Sequence, residues 1–140
     1  MYYAKILVDS GFLIAYYSAG DRYHQQVSSF LETCTAQLTT TPMCVTEVMW
    51  LLSADWRVQN EFLLDLANGI YECIYLNSTD FSRIAQLNKQ YRDLPGDFAD
   101  LSLVAISERL NLEAIATLDS DFDIYRRYRS QPFVRVFLPN

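Results

Sequence analysis

Lysine is nearly absent from this sequence: Lys5 and Lys89 are the only two, and 11 basic residues face 17 acidic ones over 140 residues. A formal charge of −6 and a pI near 4.6 argue against a protein that grips nucleic acid by its overall field. They leave room for an enzyme whose acids hold divalent cations, because a bound metal reverses the local sign. The one histidine, His24, stands beside Asp21 and reads as a surface residue. The three cysteines, Cys34, Cys44 and Cys73, are scattered without a C-x-x-C pair, which excludes a zinc or disulfide framework and fits reduced core thiols in a cytoplasmic protein. With four Gly, four Pro and 51% hydrophobic residues, a disordered or low-complexity chain is excluded as well. No apolar run approaches a membrane span, and MYYAKILVDSG lacks the cleavage pattern of a secretory leader, so no membrane role is expected.

What is present is alternation. The runs AKILVD (4–9) and LEAIATL (ending before Asp119) read as strands buried on both faces. QLTTTP, YECIYL and PFVRVF supply further strands. Between them lie helical patterns. GFLIAYYSAG closes near Gly20, and DRYHQQVSSFLETC follows with Asp21 as a candidate cap. PMCVTEVMWLLSA has Pro42 in its first turn, RVQNEFLLDLAN stops at Gly69, and STDFSRIAQLNKQY has Ser78 as a candidate cap. After Pro95 and Gly96 a sixth helix runs to about Leu110, and a short one is expected around DFDIYRRY. Strands alternating with helices indicate a parallel α/β sandwich, one domain over residues 1–140.

Within that pattern four acids occupy positions that ask for something else. Asp9 and Asp119 each follow a buried strand, at the carboxyl edge where sites form in open α/β sheets. Glu47 interrupts the apolar helix MCVTEVMWLL, and Asp100 interrupts FADLSLVAI, with no Lys or Arg within a helical turn. Each has a plainer reading. Asp119 and Asp97 can cap helices, and Glu47 can favour the positive end of its own. Convergence of the four would set up mutual repulsion that a hard divalent cation removes, and an all-oxygen donor set favours Mg²⁺ or Mn²⁺. The chemistry that follows is phosphoryl transfer or phosphodiester hydrolysis.

The succession ILVDSGFLIAYY, TEVMWLL, LPGDFADLSLVAISERL and AIATLDSDFDIYR resembles the PIN-domain family, in particular its small VapC-type ribonuclease toxins. The resemblance spans nearly the whole chain. It implies a three-layer α/β/α sandwich with a mainly parallel central sheet. It also implies Mg²⁺- or Mn²⁺-dependent endonucleolytic cleavage of RNA, with Asp9, Glu47, Asp100 and Asp119 as the four metal-holding acids. Ser10 matches the hydroxyl residue that follows the first acid, and Asp97 and Asp121 match accessory acids. Gly11 and Gly96 depart from the commoner residues of the family. The implied partners are RNA, a cognate antitoxin and a second copy of the chain. Tyr16, Tyr17, Trp50 and Trp56 are candidates for the antitoxin surface, with ordinary packing as the alternative.

Arg126, Arg127 and Arg129 are candidates for RNA phosphates, with a solvated helix face as the alternative. Two other functions compete with the nuclease. One is a non-catalytic interaction module on the same fold. The other is an aspartate-based phosphotransfer protein of receiver type, which needs paired acids near the first strand and a late lysine; neither Lys5 nor Lys89 is suitably placed.

Overall fold

Along Lys5–Val8 (β1) the side chains alternate between two cores: Ile6 and Val8 enter one, and Leu7 the other. The computed structural model describes residues 2–94 and 96–140; Pro95, expected in the break before the sixth helix, lies outside them. Past β1 the chain forms α1 (Ser10–Tyr17), α2 (His24–Thr33), β2 (Gln37–Thr40), α3 (Pro42–Leu51), α4 (Trp56–Ala67), β3 (Tyr71–Cys73), α5 (Ser78–Gln90) and α6 (Phe98–Arg109). There follow β4 (Ala114–Ala116), a 3₁₀ turn (Ser120–Asp123), β5 (Arg126–Arg127), β6 (Gln131–Pro132) and β7 (Val134–Phe137).

Five strands make one parallel sheet in the order β3-β2-β1-β4-β7. β4 repeats the alternation of β1, with Ala114 and Ala116 on one face and Ile115 on the other. Helices α1, α2 and α4 cover one face through Phe12, Leu13, Val27 and Phe62, and α5 and α6 cover the other through Ile84, Leu87, Leu103 and Ile106. The result is a three-layer α/β/α sandwich. Helix α3 bridges the layers, with Cys44 in one core and Val48 in the other. Among the described residues no helix is long and apolar enough to cross a membrane.

Several expected boundaries move. Asp21 does not cap α2: its carboxylate accepts the Tyr23 N–H at 2.8 Å in the turn ahead of it, and the helix starts at His24. Helix α1 ends at Tyr17, before Gly20. The cap of α5 is Asn77 rather than Ser78. Asn77 Oδ1 accepts the Asp80 N–H at 2.9 Å while Asp80 Oδ2 accepts the Asn77 N–H at 3.0 Å, a reciprocal capping box. DFDIYRRY is not a helix. Only a 3₁₀ turn forms, and Arg126 and Arg127 pair antiparallel with Pro132 and Gln131 in a short ribbon. Its turn places Tyr128 and Arg129 at φ 50° and 72°. That left-handed conformation is held by Glu108, whose carboxylate accepts the Tyr128 N–H at 2.8 Å.

Helix α6 is enclosed from Ala99 to Ser107, which explains a sequence apolar on nearly every side. Its far end is anchored by charge. Arg109 Nε donates to both oxygens of Asp80 at 3.1 and 3.0 Å, and Arg83 grips Glu108 through two bonds at 2.8 and 3.0 Å. Asp80 therefore serves two elements at once, capping α5 and pairing with α6. Asp80→Ala is expected to lower unfolding stability by about 2–3 kcal/mol, because a buried cap and one half of a partly buried ion pair go together. Urea denaturation measures this, and a loss below about 0.5 kcal/mol would contradict the double role.

Candidate active site

The strand order turns at β1: the chain leaves it towards β2 on one side, and β4 lies on the other. In open parallel sheets the carboxyl ends beside such a switch point form a crevice. Asp9 follows β1 there. It caps α1, its Oδ1 accepting the Phe12 N–H at 3.0 Å, and its Oδ2 accepts the Thr117 hydroxyl from the end of β4. The same Thr117 Oγ1 accepts the Asp119 N–H at 2.9 Å. One hydroxyl thus ties together two acids 110 positions apart in sequence. Asp119 in turn caps the 3₁₀ turn, accepting the Asp121 N–H at 2.9 Å.

The remaining acids arrive on helices. Thr41 caps α3 directly after β2, and its hydroxyl shares a 2.8 Å hydrogen bond with Ser102 Oγ, fully buried on α6. That bond sets α3 against α6 and so sets Glu47 relative to Asp100. Glu47 Oε1 accepts the hydroxyl of Ser10. Asp97 caps α6, its Oδ1 accepting the Asp100 N–H at 2.8 Å. Capping uses one carboxylate oxygen of Asp97 and of Asp119, so each keeps another free.

Asp100 is the centre of the group. Its side chain is only 8% exposed, and its pKa is raised from 3.8 to about 8, first by burial and then by the charges of Asp97, Asp9, Asp119 and Glu47. Asp9 is pushed up to about 6, again by burial first, with Thr117 and the Phe12 N–H pulling the other way. Burial also raises Glu47, with Ser10 opposing and Asp97 adding to the shift. Asp121 is raised by burial and by Asp119. The structure therefore brings Asp9, Glu47, Asp97, Asp100 and Asp119 into mutual electrostatic contact, with Asp121 at the rim. Among the described residues none of these acids makes an ion pair with Lys or Arg.

Whether this donor set suits a divalent ion is a question of chemistry and spacing. All donors are carboxylate oxygens, the ligands that hard cations take. Asp9 and Asp100 are buried beside half-buried Glu47 and Asp119, and their mutual repulsion is what a cation would relieve. As the side chains stand, however, no group of three or more His, Cys, Asp or Glu among the described residues is spaced to close round an ion. Glu47 leans on Ser10 and Asp9 on Thr117 and α1. The donor set fits a hard cation in type and charge.

The other candidates fall outside the cluster. Arg127 is 1% exposed, its Nη2 donating to Ser107 O at 3.1 Å and Asn111 Oδ1 at 3.0 Å; it packs α6 against the ribbon and is neither a helix-face residue nor open to RNA. Arg126 folds back on the carbonyls of Asp123, Ile124 and Tyr125. Arg129 is exposed on the ribbon turn. Tyr17 is buried, bonded to Asp65 at 2.5 Å and to Tyr71 at 2.7 Å, so it offers no docking surface; Tyr16 is half-buried, while Trp50 and Trp56 are 76% and 62% exposed. His24 takes no part in the site: its Nδ1 donates to the Ala15 carbonyl at 2.9 Å. Sequence reasoning missed Thr117, Thr41 and Ser102. A threonine two residues before Asp119 carried a signal, but a hydroxyl in a strand-end loop has many ordinary uses.

A raised carboxylate pKa reverses the usual pH dependence of stability. The folded chain holds these protons more tightly than the unfolded one, so stability is fullest near pH 4 and falls as pH rises through about 6 for Asp9 and about 8 for Asp100. In EDTA, thermal melts should show the protein less stable at pH 8 than at pH 6, by on the order of 2 kcal/mol. Asp100→Asn should flatten that slope and raise Tm at pH 8. A wild-type Tm that climbs from pH 6 to pH 8 would contradict the burial of an unpaired Asp100.

Residues 6–128 match the family model of the PIN domain. Ribonuclease VapC26 of Mycobacterium tuberculosis is 27% identical over 116 residues, covering 81% of this chain and 86% of the relative. The fold is shared with VapC20 of the same organism, described as a toxin that cleaves the sarcin–ricin loop (TM-score 0.80, 16% identity, 91% of this chain and 99% of that one). It is shared also with a chain of a toxin–antitoxin complex from Klebsiella pneumoniae (TM-score 0.66, 19% identity, 84% and 89% covered) and with one from VapBC2 of Rickettsia felis bound to a promoter DNA fragment (TM-score 0.64, 12% identity, 94% and 98% covered). The family match takes in all six helices and every acid of the site, and this chain belongs to the PIN domain family.

Proposed function

We propose that this chain is a divalent-cation-dependent endoribonuclease, the toxin of a toxin–antitoxin pair. The observation that carries the reading is Asp100, a buried carboxyl group close to four other acids that, among the described residues, have no cationic side chain to offset them. A structural acid in that place would be paired or replaced, since an unpaired buried charge costs several kcal/mol. Ribonuclease as the activity is supported by the name of the curated relative, and RNA by the description of the neighbour that cleaves the sarcin–ricin loop.

Asp9, Glu47, Asp100 and Asp119 would hold the cation, Mg²⁺ or Mn²⁺, with Asp97 and Asp121 as accessory acids. When bound, such an ion activates a water for attack on phosphorus and offsets the charge that develops on the phosphate. The chain's own side chains do the rest. Thr117 orients Asp9, and Ser10 orients Glu47. Their donors are neutral, so they fix the carboxylates without cancelling the charge that attracts the cation. Asp97 sets the first turn of α6 and thereby the direction of Asp100. The acid crevice repels a bare phosphodiester, so substrate enters productively only once the cation is in place. Of the three ribbon arginines only Arg129 has, among the described residues, a guanidinium without an intramolecular bond, and it remains the candidate for a phosphate contact.

An antitoxin partner is supported by the neighbours that are toxin–antitoxin complexes, and exposed Trp50 and Trp56 offer it apolar area. A homodimer and a cytoplasmic location belong to the same proposal. The receiver-type reading finds no support in the lysines: Lys5 pairs with Glu72 at 3.0 Å at the opposite end of β1 from Asp9, and Lys89 lies in the last turn of α5.

Cleavage of a structured RNA in Mg²⁺ or Mn²⁺ tests the proposal. Asp100→Asn should lower kcat/KM by at least about 100-fold, the loss of about 3 kcal/mol of transition-state stabilisation. EDTA should stop the wild type. Equal rates for the two proteins, or undiminished cleavage in EDTA, would overturn it.

A further inference from the structure

Tyr125 is fully buried, yet among the described residues its hydroxyl has no hydrogen-bond partner. Buried polar groups are nearly always satisfied, so an orphan hydroxyl in a packed interior asks for an explanation. The ring is held on two sides: Tyr91 and Phe122 each pack edge-on at 5.1 Å between centroids. That grip aims the oxygen at the loop that delivers Asp97 and Asp100. It lies so close to Gly96 that any Cβ at that position would overlap it, and the next nearest ring atom, Cζ, would stand at 3.3 Å. Gly96 is therefore required by the hydroxyl, and the departure from the commoner family residue at position 96 finds its reason in position 125.

The surroundings of the oxygen are acidic. Its ionisation is pushed up by burial and then by the charges of Asp100, Asp121, Asp119 and Asp97. Asp100, the foremost of these, accepts no hydrogen bond on its carboxylate among the described residues, whereas Asp9, Glu47, Asp97 and Asp119 each have a donor. Among the described residues one site thus holds a donor without an acceptor and an acceptor without a donor. Resting on the cation-site reading above, we propose that Tyr125 is a positioning residue: its hydroxyl donates towards the Asp100 carboxylate across one water and fixes the orientation in which Asp100 meets a divalent cation. A donor behind a metal-holding carboxylate typically changes metal affinity 10–100-fold.

Titration calorimetry of the full chain with Mn²⁺ alone tests this without reference to catalysis. Tyr125→Phe, which keeps the ring and deletes the oxygen, should weaken Mn²⁺ about tenfold or more, with the far-ultraviolet circular dichroism of the wild type. Tyr91→Phe is the packing control, because the Tyr91 hydroxyl accepts the Arg126 N–H at 2.9 Å and is spent there. Its Mn²⁺ affinity should match the wild type. Gly96→Ala reaches the same loss by another route, displacing the hydroxyl rather than removing it. In the Tyr125→Phe background Gly96→Ala should cost little more, since the overlapping oxygen is gone.

Equal Mn²⁺ affinity for Tyr125→Phe and wild type, with Asp100→Asn binding at least tenfold more weakly, would overturn the role of Tyr125 and leave the cation site standing. Undiminished binding by Asp100→Asn would overturn the site and this inference with it. An equal loss in Tyr91→Phe, or additive losses for Gly96→Ala and Tyr125→Phe, would show packing rather than positioning and would also overturn the inference.

Discussion

A carboxylate taken out of water beside other carboxylates is the constraint round which this molecule is arranged. Helix α6 is enclosed along most of its length, and at its first turn it carries Asp100 within electrostatic reach of Asp9, Glu47 and Asp119. Hydrophobic burial of the helix supplies the free energy that holds the carboxyl group there. At the other end of α6 the charges are matched, Arg109 with Asp80 and Arg83 with Glu108. Charge is paired at one end of the helix and, among the described residues, unpaired at the other, which on the proposed reading divides it into an anchor and a site.

The acids also do local work, and that is why they fold into place. Asp9, Asp97 and Asp119 each cap the element that follows them with one oxygen. Capping orients the carboxyl group through the backbone, which is more rigid than any side-chain contact. The hydroxyls of Ser10 and Thr117 then steady the acids without contributing charge. The capping and site readings, which stand as alternatives in the sequence, are compatible in three dimensions because a carboxylate has two oxygens.

Much of the fold was legible in the sequence because the central strands are apolar on both faces, so KILV and AIA cannot be amphipathic surface elements. The four principal acids stood out as candidates for the complementary reason: each breaks an apolar run or ends one, and the structure places them within electrostatic reach of one another. What could not be read was set by contacts distant in sequence. Nothing local marks Arg127 as buried, since the Ser107 carbonyl and Asn111 that receive it come from the end of α6 and the turn after it. The helix expected around DFDIYRRY failed because the chain finds a ladder partner at Gln131–Pro132. Asn77 was passed over for Ser78 although Asn77 and Asp80 have the spacing of a capping box; both residue types cap well, and only the backbone decides. The tie between Gly96 and Tyr125 crosses from one loop to another and has no sequence signature at all.

The central claim is that these oxygens gather to receive one hard cation, and anomalous diffraction from crystals soaked in Mn²⁺ addresses it most directly. The account predicts a strong anomalous peak between the carboxylates of Asp9, Asp100 and Asp119, with Glu47 turned towards it. A peak only at surface acids outside the crevice, or none at any Mn²⁺ concentration the crystals tolerate, would contradict it.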